Sequence, residues 1–255
     1  MLLAIDIGNT EITVGVFDGE QKKTTFQLTT SIHRTADENA VLLISVLKTR
    51  GLELSDINEV ALCSVVPPLT SIFEGVVKRY FGLSPLVVAA GVKTGMRICM
   101  DNPKEVGADR IADAVAAKHL YGGPVIIVDM GTATTFEIVS QSGDYIGGAI
   151  APGILSSSEA LFQRAAMLPR IDLTVPGKVI GTNTVDAMKS GVFYGYVGLV
   201  ESMVARLREE IGGKAKVIAT GGFAGLIAKG TKAIDEVNPD LTLVGLRLIY
   251  EMNRE

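Results

Sequence analysis

The chain has 255 residues, 47% of them apolar and 20% charged, which allows a sizeable core and excludes intrinsic disorder as the basis of its function. The formal net charge is −4, and no run of Lys and Arg is interleaved with aromatics. Nucleic acid and anionic membrane are therefore not expected as partners. The two cysteines, Cys63 and Cys99, lack CxxC spacing and are expected as reduced thiols. The first residues meet Asp6 without a basic segment, and no stretch approaches the ~18 apolar residues of a membrane span, so a cytosolic protein is expected.

In chain order, Leu2–Ile7 is a predicted strand running into Asp6-Ile7-Gly8-Asn9-Thr10. Ile12–Phe17 and Thr24–Thr29 are predicted strands separated by a turn at Asp18-Gly19-Glu20. Ala36–Arg50 carries Ala40, Leu43, Ile44 and Leu47 at helical spacing and stops at Gly51. Val60–Val66 reads as a buried strand closed by Pro67-Pro68, Leu69–Phe81 as a helix, Leu86–Ala89 as a strand and Val106–Leu120 as a helix. The opening pattern then recurs. Val125–Val128 runs into Asp129-Met130-Gly131-Thr132-Ala133-Thr134-Thr135, followed by strands Phe136–Val139 and Tyr145–Ile150 around a turn at Gln141–Asp144. Helices are predicted over Ile154–Met167 and Thr182–Ile211, the latter as one helix or two abutting ones. A strand over Lys216–Thr220 leads into Gly221-Gly222 and a short helix, and Thr242–Met252 is a terminal helix. The two Asp-x-Gly copies lie 123 positions apart, close to half the chain. A duplicated α/β protein with mixed sheets flanked by helices follows, its halves divided as 1–115 and 116–255.

An Asp-x-Gly turn at the end of a strand suits phosphate binding, because glycine lets backbone N–H groups approach an oxyanion and the carboxylate can hold a cation or its waters. A single such turn is equally a tight hairpin; two matching copies carry more weight. Thr220-Gly221-Gly222 could seat a nucleotide sugar or base, or simply join a strand to a helix. No GxxxxGK[ST] or GxGxxG occurs, and His33 and His119 belong to no zinc spacing or triad, so base chemistry falls to a carboxylate. The most polar motif outside the hairpins is Asp101-Asn102-Pro103-Lys104-Glu105-Val106-Gly107-Ala108-Asp109-Arg110. Asp109 in a helix's first turn serves either as a cap or as a base, beside an Arg able to grip a carboxylate.

Asp6-x-Gly8-Asn9-Thr10, Gly107-Ala108-Asp109-Arg110, Asp129-x-Gly131-Thr132-Ala133-Thr134-Thr135, Gly147-Gly148…Pro152-Gly153, Gly181-x-Asn183-Thr184 with Ala187-Met188-x-Ser190-Gly191, and Thr220-Gly221-Gly222 stand in this order. The set resembles the type III pantothenate kinases and covers nearly the whole chain. The resemblance implies a duplicated actin-like (ribonuclease H-like) fold and ATP-dependent phosphorylation of pantothenate, the entry to coenzyme A synthesis. It implies that Asp6, Ile7, Gly8, Asn9, Thr10, Glu11, Ile12 and Thr13 form the first ATP phosphate loop and that Thr132 touches the nucleotide in the second. It makes Asp109 the proton acceptor. Gly107, Ala108, Asp109 and Arg110 contact pantothenate with Thr184, the last from the partner subunit of a homodimer. Asp129 binds potassium or ammonium, needed beside magnesium. Two positions depart from the pattern: Met100 stands where the family commonly has Tyr, and Glu137 where it has Asp. Other readings of the same residues are a different small-molecule kinase of the superfamily, or a non-catalytic nucleotide-binding accessory factor. Gly191, Gly195 and Gly198 recur at helical spacing, each costing about 1 kcal/mol in a helix, so a close helix contact within the chain or between copies is expected to compensate.

Overall fold

A computed structural model describes residues 1–254, which form two compact units. The first contains Met1–Gly95, Asp101–Ala116 and the segment from Leu241 onward; the second contains Met96–Met100 and Ala117–Asp240.

The first unit is built on a five-stranded sheet of β1 (Leu2–Ile7), β2 (Glu11–Asp18), β3 (Gln21–Thr29), β4 (Glu59–Ser64) and β5 (Leu86–Val87), in the order β3-β2-β1-β4-β5. β1 pairs antiparallel with β2 and parallel with β4. Its near-continuous apolar run is what a central strand covered on both faces requires, whereas edge strand β3 buries only Phe26 and Leu28. Leu3, Ile5 and Ile7 face a core shared with Leu43 and Leu47 of α1 (Ala36–Thr49) and Leu69 and Phe73 of α2 (Pro67–Val76). A capping box of Thr35 and Glu38 starts α1, satisfying backbone donors that the first turn leaves free. α2 begins at Pro67, two residues before the predicted start, because proline is tolerated in a first turn where no intrahelical N–H bond is needed. It unwinds through a π turn, Val77–Phe81, to Gly82 at φ +67°.

The second unit repeats this plan. β6 (Val125–Met130), β7 (Ala133–Val139), β8 (Tyr145–Pro152), β9 (Lys216–Thr220) and β10 (Glu236–Val237) are ordered β10-β9-β6-β7-β8, the same neighbours read in reverse. Again the central strand is antiparallel to the second and parallel to the fourth. Even the register shift recurs, between Val16 and Phe17 in β2 and between Ile138 and Val139 in β7. The two-residue β10 has no counterpart among the predicted strands. The helices of this half are α4 (Ile154–Arg164), α5 (Thr184–Glu210, one continuous helix capped by Asn183) and α6 (Ala224–Ile227).

In chain order α3 (Ala108–Tyr121) follows β5 and precedes β6, and α7 (Leu241–Asn253) follows β10. On sequence α7 falls in the second half, 116–255; in the structure it packs on β1, β2 and β4 of the first unit. Against α3 its close approach is made possible by Gly245, where a Cβ would fall inside the van der Waals radius of the Ala112 carbonyl. Gly245→Ala is expected to cost about 1–3 kcal/mol, since only backbone could yield. Gly75→Ala, in α2 with open space around it, should instead raise stability by up to about 1 kcal/mol. Urea unfolding of both variants checks the pair.

Candidate active site

Asp6 stands at the penultimate position of β1, where the sheet register places it between Thr13 of β2 and Cys63 of β4. Residues directly opposite one another share a face, so the three side chains form a row at the strand ends. The Cys63 thiol donates to Asp6 Oδ1 over 3.2 Å. Burial, then the charges of Asp6, Asp109 and Asp113, push this thiol well above its ordinary pKa, so it stays protonated and acts as a donor. Both expected carboxylates of the first unit, Asp6 in β1 and Asp109 on α3, thus act on one neutral group.

The loop after β1 turns tightly, with the Gly8 amide donating to the Glu11 carbonyl at 3.0 Å. Asn9, Thr10 and Glu11 are exposed, while Ile7 and Ile12 are buried and anchor the loop to the core. Thr13 is half-buried beside Asp6.

Asp109 lies in the first turn of α3, half-buried with Gly107, Ala108 and Arg110. Its Oδ1 accepts from the Arg110 amide at 2.7 Å, and at Gly107 a Cβ would collide with that same oxygen. Glycine at 107 therefore leaves the carboxylate its room. Burial raises the Asp109 pKa above the ordinary carboxylate range, against opposing effects of the Arg110 amide and guanidinium. One helical turn on, Asp113 is 1% exposed and accepts from Thr242 Oγ1 of α7 at 2.7 Å. The sequence reading missed Asp113; its signal was the i, i+4 spacing from Asp109, which puts both on one helix face. Cys63 was missed as well, since only sheet register reveals its place beside Asp6.

In the second unit Asp129 occupies the equivalent slot, between Thr135 of β7 and Thr220 of β9. Thr135 Oγ1 is buried without a hydrogen-bond partner. At Gly221, φ +86°, a Cβ would strike the Asp129 carboxylate, so the backbone there approaches as only glycine allows. The β6–β7 loop is one residue tighter than its counterpart, with Gly131 N–H bonded to the Ala133 carbonyl at 3.0 Å. Thr132 is exposed at its tip. Behind it the Thr134 hydroxyl bonds Tyr196 of α5, whose own hydroxyl is held neutral by burial and then by the charge of Asp129. Thr184 is the exposed first residue of α5, at the rim of an open cavity of about 710 Å³ lined also by Leu161, Leu168, Asn183, Met188 and Gly191. Met100 has its sulfur beside Gly147 of β8, and Glu137 is buried within β7.

Two sheets with the same strand neighbours, each ending its central strand in an Asp-x-Gly loop, define the duplicated actin-like class of fold. An inorganic polyphosphate/ATP-glucomannokinase from Arthrobacter sp. strain KM shares that fold, with a TM-score of 0.53 at 14% identity, each chain covered to 99%. At the level of sequence, a family model described as type III pantothenate kinase matches residues 2–206. A type III pantothenate kinase from Dehalococcoides mccartyi (strain CBDB1) is 55% identical over 253 residues, 99% of this chain and 96% of that one. Another from Geobacter sulfurreducens is 52% identical over 255 residues, with both chains fully covered. The chain belongs to the type III pantothenate kinase family.

The two thiols should separate cleanly by reactivity. Cys99 is exposed and Cys63 is buried with a raised pKa, so a chromogenic disulfide reagent should titrate one thiol in the native protein and the second only after unfolding.

Proposed function

We propose that this chain transfers the γ-phosphoryl group of ATP to the primary hydroxyl of pantothenate, giving ADP and 4′-phosphopantothenate, the first step of coenzyme A synthesis. Family membership across most of the chain supports the reaction. The observation that carries the assignment of residues is the Asp6 carboxylate at the end of β1, bonded to the buried Cys63 thiol on which the charge of Asp109 also acts.

In this reading Asp6 through Thr13 hold the ATP phosphates, with backbone N–H groups toward the oxyanions, and Thr132 contacts the nucleotide. Asp109 accepts the hydroxyl proton as the new O–P bond forms and the bond between the γ-phosphorus and its bridging oxygen breaks, the electron pair leaving with ADP. Phosphoryl transfer has a loose transition state in which positioning dominates, so a single aspartate suffices as the base. Arg110 and Gly107–Asp109 grip the pantothenate carboxylate and neighbouring amide, with Thr184 from a second copy.

When bound, magnesium would neutralise charge on the phosphates. Asp6 would stand beside an ion carried mainly by phosphate oxygens and water. For a monovalent cation, potassium or ammonium, the Asp129 carboxylate and the unpartnered Thr135 hydroxyl offer the hard oxygen donors such an ion takes. A cytoplasmic location accompanies this reading. Among the described residues no helix is long and apolar enough to cross a membrane.

The homodimer draws support from α5. Thr184, Ala187, Gly191, Gly195, Gly198 and Ser202 follow three- and four-residue steps along one exposed face. Among the described residues a Cβ at any of the three glycines would meet nothing within 4 Å beyond the helix itself, and Met167, Val179 and Ile180 of the same unit expose apolar side chains. Gly195→Leu should therefore keep native circular dichroism yet sediment as a monomer with reduced pantothenate turnover. An unchanged dimer would remove α5 from the interface.

Asp109→Asn tests the base. Pantothenate-dependent ADP release should fall by about 10²-fold or more, with ATP binding retained. Because burial raises this pKa, the carboxylate form is reached only above the ordinary carboxylate range. The acid limb of kcat/KM should lie correspondingly high, and the stability that the protonated group contributes is lost as pH rises through that folded pKa. The Asn variant should consequently be no less stable than the parent at neutral pH. Full activity in Asp109→Asn would dismiss Asp109 as the base.

A further inference from the structure

We propose that Thr30 and Ser156 are positioning residues that set the backbone polarity of the two phosphate loops, an inference that rests on the kinase reading above. Thr30 follows directly after β3. Its hydroxyl donates to the Gly8 carbonyl at 2.7 Å, and its amide donates to the Thr10 carbonyl at 3.0 Å. Ser156 lies in the first turn of α4, just past β8. Its hydroxyl donates to the Thr132 carbonyl at 2.7 Å, and the Gly153 amide reaches the same oxygen at 3.1 Å. A Cβ on Gly153 would collide with the carbonyl oxygens of both Gly131 and Thr132, so the two carbonyls converge on this side of the loop.

The consequence follows from peptide geometry. In a planar trans peptide the C=O of one residue and the N–H of the next point in opposite directions. Holding the Gly8 carbonyl toward Thr30 turns the Asn9 N–H away from it. Drawing the Gly131 and Thr132 carbonyls toward Gly153 and Ser156 turns the N–H groups of Thr132 and Ala133 away. A carbonyl left facing the ligand would oppose a phosphate oxygen with its lone pairs, whereas an N–H can donate to it. The hydroxyls thus draw the negative ends of the loop dipoles to the rear. The same solution occurs in both units with different residues, a threonine beyond the third strand in one and a serine within the following helix in the other. Two independent loops reach the same polarity.

The test uses the full-length protein with Thr30→Val, which keeps the shape and the amide but loses the hydroxyl, and with Ser156→Ala. Thr30→Ser is the conservative control. ATP is varied at saturating pantothenate, pantothenate at saturating ATP, and binding of a non-hydrolysable ATP analogue is measured by calorimetry. One lost neutral hydrogen bond weakens binding about 3- to 10-fold. Each of Thr30→Val and Ser156→Ala should raise the KM for ATP and the analogue's Kd by that factor, leave the KM for pantothenate within about twofold, and Thr30→Ser should restore the parent value. A wild-type Kd and KM for ATP in both variants overturns the proposal while leaving the kinase reading intact, even if the urea midpoint falls. An equal rise in the pantothenate KM also overturns it, since the residues would then support the scaffold rather than a loop. If the parent protein itself neither binds the analogue nor releases ADP, the kinase reading fails and the positioning role with it.

Discussion

The register of the central strands is the constraint on which the rest of the molecule depends. β1 and β6 each place an aspartate at the penultimate position, flanked by an antiparallel neighbour on one side and a parallel one on the other. Alternation does the sorting. Leu3, Ile5 and Ile7 enter the core beneath α1 and α2, and Ile126, Val128 and Met130 enter the core beneath α5. Asp6 and Asp129 are thereby directed to the opposite faces of their sheets. A slip of one residue would drive each carboxylate into apolar packing, at a desolvation cost that no partner there could offset. Burial of the odd-numbered aliphatics in the first unit and the even-numbered ones in the second is therefore also what delivers the chemistry to the strand ends.

From that common frame the two units diverge in the groups beside the carboxylate. In the first, a thiol occupies the slot on the parallel strand, and its S–H is a weak donor that stays neutral among three aspartates. In the second, Thr220 occupies the same slot and Thr135 brings a further hydroxyl whose hydrogen-bonding capacity is unused. A neutral, weakly polar neighbour suits a carboxylate that stands near a second carboxylate, because it adds no charge to an already negative corner. Oxygen-rich neighbours suit a carboxylate proposed to share a cation. The loops differ in the same sense: the longer first loop offers Asn9 and Thr10 at an exposed tip, and the tighter second offers Thr132 alone.

Much of this was legible from residues alone, and the exceptions have physical causes. The strands Leu2–Ile7 and Lys216–Thr220 match their predicted bounds because uninterrupted apolar runs ending in Asp or Gly leave little choice. β10 is two residues held by pairing with β9, too short to show any periodicity. Prolines at 67 and 68 were read as the end of a strand when they are equally the start of a helix. The attachment of α7 to the first sheet was hidden because an amphipathic pattern says that a face is buried but not against what. The duplicated Asp-x-Gly loops and Asp109 carry recognisable spacing. Thr30 and Ser156 carry none that stands out, since each acts through a partner distant in sequence, 22 residues to Gly8 and 24 to Thr132; Asp113 shows its spacing from Asp109 but not its partner Thr242, 129 residues away.

The long helix α5 shows how packing and composition separate. Three glycines within it should weaken an isolated helix by roughly 3 kcal/mol in total, and among the described residues nothing outside the helix lies within 4 Å of where their Cβ atoms would stand. The helix nevertheless runs without a break from Thr184 to Glu210, because Phe193, Tyr196, Val197, Val200 and Val204 bury its opposite face against the second sheet. Tertiary burial of one face readily outweighs local propensity. Folding of the second unit therefore makes no use of the glycine face, and alanine at those positions would serve the helix better. Their small size fits the second copy proposed to approach this face, and Thr184 stands at the head of the same face.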